Sequence, residues 1–305
     1  PLSFHLTYGS SLHDRPNISE TFGCTLGHNW MHNFQATRIV DSKTHTRIVY
    51  DRGKTLSFHA GPSAGEWLLD KGEKAPYQLR SVGKRFVLMD PEKELVYAFD
   101  AAGRLDFIED RNGSRLNLTY DPAGRLLRVG DGLGRRLSFS YDGSRLTDVC
   151  DGYGRCASFG YSRNGLLTQY TDVLGHTTRY AYDTSTDKKG LLTGTTLPEG
   201  NRPFTQTYNA KGAVTSQADA YGNVHSLEIA TNGVSTMAHA DGTTLEHRHS
   251  GDRDLTAYTD QRNFTAHVGY DNNHRISSVT DRMGNEVAIR YDPASGKESS
   301  LMDSQ

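Results

Sequence analysis

Residues 117–161 read NLTYDPAGRLLRVGDGLGRRLSFSYDGSRLTDVCDGYGRCASFGY. Tyr120-Asp121 returns as Tyr141-Asp142, and Asp131-Gly132-Leu133-Gly134-Arg135 returns as Asp151-Gly152-Tyr153-Gly154-Arg155. Self-similarity at a fixed period marks a repeat architecture and decides the fold before any single motif does. With the aromatic before the Asp as marker, the series runs Phe99, Tyr120, Tyr141, Tyr161, Tyr182, Tyr208, then Tyr270 and Tyr291. Continued across the gap, the same spacing lands on Ile229 and His249. The intervals are 21, 21, 20, 21, 26, 21, 20, 21 and 21 residues. The long one holds the polar stretch Asp183 to Gly190, which reads as an enlarged turn.

A second marker falls near the middle of each repeat: Asp110, Asp131, Asp151, Asp172, Asp219, Asp260 and Asp281. Three residues later stand Gly113, Gly134, Gly154, Gly175, Gly222, Asn263 and Gly284. Asp, Asn and Gly at fixed offsets supply the Asx bonds and positive φ angles that chain reversals need. Between turns the residues alternate, as in Leu137, Phe139 and Tyr141 around Ser138 and Ser140, or Leu116, Leu118 and Tyr120 around Asn117 and Thr119. Val287, Ile289 and Tyr291 alternate in the same way. Period two is the half-buried strand pattern, and breaks about every ten residues leave no room for an ordinary helix. One repeat is therefore two strands joined by tight turns.

Strands paired edge to edge add about 4.8 Å each, so some nine repeats would make a ribbon on the order of 85 Å long. Open sheets rarely exceed about ten strands without curling. A packed solenoid, a propeller and a sheet wound into a hollow spiral are the alternatives. Only 35% of the residues are hydrophobic and 31 are Gly, which suits the hollow sheet best. Its tyrosines would stack in columns across neighbouring repeats. The expected fold class is all-β, a long curved or spiralling antiparallel sheet over residues 97–305. Residues 1–96 lack the period and are expected to be irregular strands that lead into the array or cap its first edge. The last strand is expected at Ala288 to Tyr291.

The net charge of −2, from 34 Lys plus Arg against 36 Asp plus Glu, gives no electrostatic reason to expect a nucleic acid or an acidic membrane as partner. No apolar run is long enough to span a bilayer as a helix. The opening Pro1-Leu2-Ser3-Phe4 carries neither an initiator Met nor a secretory signal, so a piece of a longer chain is expected. Cys24, Cys150 and Cys156 form no CxxC pair, and neither a disulfide framework nor a cysteine zinc site is expected.

Tyr120-Asp121-x-x-Gly124-Arg125-Leu126 followed by Asp131-x-x-Gly134-Arg135 resembles the YD repeat of RHS (rearrangement hotspot) proteins, wall-associated bacterial toxins and teneurins. Pro1-Leu2-Ser3-Phe4-x-x-x-Tyr8 and Leu26-Gly27-His28-Asn29-Trp30 are similar to the segment that precedes the repeats in bacterial RHS proteins, with Asn29 where that family usually has Gly. The resemblance implies a section of hollow shell that encloses a C-terminal toxin for delivery by type VI secretion or within a toxin complex. It implies synthesis in the bacterial cytoplasm before secretion or delivery. The implied partners are the remaining repeats, the toxin on the same polypeptide, and a secretion-spike or chaperone protein. The family's aspartyl self-cleavage motif, a paired Asp-Pro-x-Gly-Leu, is not matched. Asp121-Pro122-Ala123-Gly124 continues with Arg125, and Asp292-Pro293-Ala294 continues with Ser295.

Other chemistry is weaker. His28 and His32 have the spacing of two zinc ligands on a helix, but the second position lacks the zincin Glu and the context is extended, so structural histidines are expected. His247 and His249 stand where packed residues belong. The recurring Asp residues could pair as glycosidase acids, but such a pair needs its own cleft, whereas these recur at every turn. Neither a cofactor fingerprint nor a catalytic set emerges. A non-catalytic shell wall is the leading expectation, and a glycan- or cell-surface-binding adhesion module is the alternative.

Overall fold

Asp131 shows how the chain punctuates itself. Its Oδ1 accepts from the N–H groups of Leu133 (2.9 Å) and Arg135 (3.1 Å), and its own N–H donates to the Arg135 carbonyl (3.2 Å). The side chain thus closes an Asx turn, and Gly134 within it takes φ 97°. Asp110, Asp151, Asp172, Asp219, Asp260 and Asp281 bond in the same way. Asn263, at φ 61°, occupies the position that most repeats give to Gly. Between such turns only short strands fit.

The computed structural model describes residues 2–12, 25–50, 52–70, 76–185, 190–230, 232–293 and 297–304. It is all-β with almost no helix. β1 (Leu6–Tyr8) and β2 (Trp30–His32) form a two-stranded sheet. The other 26 strands, from β3 (Thr37–Val40) to β28 (Glu298–Ser304), make an antiparallel sheet in chain order that is not closed. By compactness the chain divides into residues 1–203 with 208–213, and residues 204–207 with 214–305.

In the first unit, β4 (His45–Tyr50), β5 (Lys54–Ala60), β8 (Arg85–Asp90), β9 (Leu95–Phe99) and β10 (Leu105–Asp110) bury Ile48, Tyr50, Leu56, Phe58, Leu88, Phe99 and Leu105 together with Asp90. Asp90 is satisfied there, accepting from Tyr50 Oη (3.0 Å) and from the N–H groups of Glu92 and Lys93. The edge of β3 finds a partner at the entry to β10. Arg38 N–H donates to the Gly103 carbonyl (2.8 Å), and Thr37 bridges to Arg104. A covered edge cannot recruit a foreign strand.

The repeats continue with β11 (Arg115–Tyr120), β12 (Leu126–Gly130), β13 (Arg136–Asp142), β14 (Arg145–Asp151), β15 (Cys156–Tyr161) and β16 (Leu167–Thr171). One face carries the buried Leu118, Phe139 and Phe159, each two residues before its marker tyrosine, while Thr119 and Ser140 on the other face are exposed. Each such large side chain contributes about 1.5–3 kcal/mol on burial. In the second unit, β21 (Val224–Ile229), β22 (Val234–Ala238), β23 (Thr244–His249), β25 (Thr265–Tyr270), β26 (Ile276–Thr280) and β27 (Glu286–Tyr291) leave Val224, Ile229, Val279 and Val287 more than a third exposed. There the backbone ladder carries more of the stability than a core does.

Two expectations are corrected. The strand at Ala288 to Tyr291 is not terminal. Asp292 N–H donates to the Lys297 carbonyl (2.8 Å), the chain reverses, and β28 pairs along β27 from Glu286↔Ser304 to Tyr291↔Glu298. The cysteines are also not all unpaired. Cys150 and Cys156 face each other across the β14–β15 ladder with Cα atoms 4.0 Å apart and form a disulfide. The Asp151–Arg155 turn brings its two flanking residues into register, which counting cysteines by type does not show. Cys24 lies outside the described residues.

Candidate functional site: a tyrosine latch repeated along the sheet

A β-bulge precedes each marker tyrosine whose strand pairing is described. The register shifts between Thr119 and Tyr120, Ser140 and Tyr141, Gly160 and Tyr161, Ala181 and Tyr182, Gly269 and Tyr270, and Arg290 and Tyr291. Bulges bend a strand and sharpen its twist, so the repeat carries its own curvature. At position 249 the bulge is kept with a histidine. At position 229 the marker is Ile and the bulge is missing, with Ser226↔Ala238 to Ile229↔Ser235 in unbroken register.

The bulge aims the tyrosine at the repeat before it. Tyr120 Oη donates to the Leu105 carbonyl (2.7 Å), Tyr141 to Leu126 (3.0 Å), and Tyr161 to Leu146 (2.7 Å). Tyr182 donates to Leu167, and Tyr208 to Leu192 (2.6 Å). In the second unit Tyr270 donates to Leu255 (3.1 Å) and Tyr291 to Ile276 (2.9 Å). Each acceptor whose pairing is described lies opposite the preceding marker, as Leu126 lies opposite Tyr120 and Ile276 opposite Tyr270. The hydroxyls therefore stitch neighbouring repeats into columns. Phe99 opens the series with a buried ring and no hydroxyl to donate.

A guanidinium covers several of these rings. Arg104 stands 5.2 Å from the Tyr120 centroid, Arg125 5.2 Å from Tyr141, Arg145 5.6 Å from Tyr161 and Arg275 4.1 Å from Tyr291. Such cation–π pairs add about 0.5–1 kcal/mol where exposed. Arg125 and Arg275 also bond the carboxylates of Asp121 and Asp271. Burial pushes the phenols of Tyr120, Tyr141, Tyr161 and Tyr182 well above the ordinary tyrosine range, so they remain donors at any physiological pH.

In the first unit this aromatic face holds a segment of its own chain. The Trp30 indole N–H donates to Tyr182 Oη (2.8 Å), Tyr8 Oη accepts from Leu192 N–H (2.9 Å), and the Thr25 carbonyl accepts from Leu146 N–H (2.9 Å) and Tyr161 Oη (3.2 Å). Phe4 lies 6.0 Å from Phe139 and 5.9 Å from Phe159, ring to ring. His32 is buried among Phe4, Phe34 and Phe139, and desolvation lowers its pKa to about 3. It stays neutral, and its Nδ1 accepts from Phe34 N–H (3.2 Å). The His28 ring packs beside Gly190. A cleft of about 750 Å³ in the same unit is lined by Phe34, Tyr97, Ile108 and Leu116 along with Lys93 and Arg135.

The Asp markers sit at the strand ends opposite the tyrosine turns, where their carboxylates are committed to turn bonds, and Asp110 and Asp131 also line the cleft of about 750 Å³. His247 packs its ring 5.2 Å from Tyr258, with His249 6.3 Å away. Among the described residues no group of three or more His, Cys, Asp or Glu is gathered around one point. None of their helices is long and apolar enough to cross a membrane. The sequence reading missed the His225–His239 pair, whose Nδ1 atoms are 3.2 Å apart.

A family model, the teneurin YD-shell, matches residues 85–301. Among solved structures, a crystal structure of TcdB2-TccC3-Cdc42 aligns at TM-score 0.48 and 15% identity, covering 86% of this chain and 15% of that one. The Tc holotoxin pore of Photorhabdus luminescens aligns at TM-score 0.48 and 15% identity, over 86% of this chain and 15% of that one. A porin-like protein from Bacteroides uniformis gives 0.24 at 9% identity, over 88% and 96%. The chain thus spans 15% of the length of the toxin-complex chains it matches. No curated protein sequence matches it.

Proposed function

Because the chain belongs to the teneurin YD-shell family, we propose that it is a length of shell wall whose aromatic face is turned toward a toxin or other cargo carried on the same polypeptide. The observation that supports this reading is the segment on that face: residues 4–8 and 25–36 lie along the tyrosine column, bonded through backbone and ring. A face that accepts a segment of its own chain from outside the repeats is suited to surround more of it. The wall works by position and burial, through contacts spread over every repeat, and turns over no substrate. The marker residues serve as its structural repeat, with residues 1–96 as the capping region and 97–305 as the array. The other repeats, the cargo and a spike or chaperone protein are its partners. Type VI secretion or a toxin complex delivers it after synthesis in the bacterial cytoplasm.

Limited proteolysis of the full polypeptide tests this. Cargo should resist added protease while the wall is intact, and should become cleavable when Trp30→Ala and Phe4→Ala loosen the capping segment. Cargo cleaved equally fast with and without an intact wall would overturn the reading, as would turnover of glycan or peptide by the purified chain.

A further inference from the structure

We propose that His225 and His239, facing each other across the β21–β22 pair, form a binding site for a divalent transition-metal ion of the Zn²⁺ class. Because β21 and β22 run in unbroken register, Ser226 opposes Ala238, and the next pair outward is His225 with His239. Their rings meet edge to face at 5.2 Å with the two Nδ1 atoms 3.2 Å apart. Two imidazole nitrogens on one tetrahedral Zn²⁺, at about 2.0–2.1 Å each, lie about 3.3–3.4 Å apart, so the separation already suits one shared ion once each ring turns its nitrogen toward it. Without metal, one Nδ1–H donates to the other Nδ1. On binding, the metal takes the place of that hydrogen bond, both rings ligating as neutral imidazoles.

The surroundings fit the ion. Gln261 places its side-chain amide 3.1 Å from His239 Nε2, and with its oxygen turned to the ring it would accept the Nε2–H of a ring that ligates through Nδ1. Asn223 and Asp241 line the same open cleft of about 380 Å³, leaving room for water in the remaining positions. Thr243, donating from its hydroxyl and backbone, holds the Asp241 side chain in place beside the site. The bound ion would staple β21 to β22 in a unit with little buried core.

Titration calorimetry of the untagged chain with ZnCl₂ tests the site. We expect one saturable event, weakened in His225→Ala and His239→Ala by at least the about 10-fold that loss of even an outer partner causes, and unchanged in His247→Ala. His225→Gln and His239→Gln, which keep bulk and polarity, should lose it equally. Because a variant can fail to fold, Cu²⁺ electron paramagnetic resonance on the wild-type chain gives a second reading, in which hyperfine from two imidazole nitrogens is expected. No saturable uptake, uptake indifferent to both histidines, equal loss in His247→Ala, or fewer than two nitrogens on Cu²⁺ would overturn the proposal.

Discussion

At the scale of the residue, two groups carry the repeat: the tyrosine hydroxyl and the turn carboxylate. Tyr141→Phe removes one donor from the Leu126 carbonyl and should cost about 1 kcal/mol. Tyr141→Ala also removes a half-buried ring and should cost roughly 3 kcal/mol. Ser140→Ala, on the exposed face, should stay within about 0.5 kcal/mol. Denaturant melts of the three variants check the order, and equal costs for Tyr141→Ala and Ser140→Ala would mean that the faces are reversed. The turn carboxylates make the fold sensitive to acid. The Arg135 side chain holds Asp131 below its ordinary value of 3.8, and the Asn223 and Asn285 side chains do the same for Asp219 and Asp281. A depressed carboxylate contributes stability that is complete above the ordinary value and is lost as pH falls through the folded value. The melting temperature should therefore hold from neutral pH to about pH 4 and fall below it, and Asp131→Asn with Asp281→Asn should flatten that fall. Thermal melts between pH 7 and pH 2 measure it, and identical profiles would contradict the assignment.

At the scale of the element, curvature and edge protection have separate origins. Bulges before the tyrosines curve the sheet, whereas Gly103 seals its first edge. Gly103 has φ 87°, and a β-carbon there would lie 2.3 Å from the Arg38 carbonyl oxygen, the group beside the β3 closure. At Gly134, with φ 97°, a β-carbon would meet nothing within 4 Å. Gly134→Ala should therefore cost only the left-handed backbone penalty of about 1–2 kcal/mol. Gly103→Ala must also part β3 from β10, and should cost clearly more and speed hydrogen exchange at Arg38. Equal costs would show that the edge contact contributes nothing. The elements also show what was legible. Turns every ten residues and alternation between them rest on neighbouring residues, so the sequence carried both, whereas the register shift at a marker depends on the facing strand. The Cys150–Cys156 and His225–His239 pairs depend on register across a turn or a strand pair, and residue type alone does not report it. The segment over the tyrosine column was least legible, because contacts such as Trp30 with Tyr182 join residues 152 apart and the stretch that carries Trp30 lies outside the period.

At the scale of the whole molecule, the account makes the wall two-sided, with one face for the polypeptide it surrounds and one for solvent. Strand β25 displays both within two residues. Val268 shares the face of Tyr270 and is half-buried, while His267 points the other way and is exposed. A photo-crosslinking amino acid at either position in the full polypeptide, with its cargo present, reads that asymmetry without depending on any activity of the cargo. The account predicts cargo captured from position 268 and little or none from position 267. Capture from 267 alone, or equally from both, would contradict the claim that this chain is a wall with its aromatic face toward the cargo.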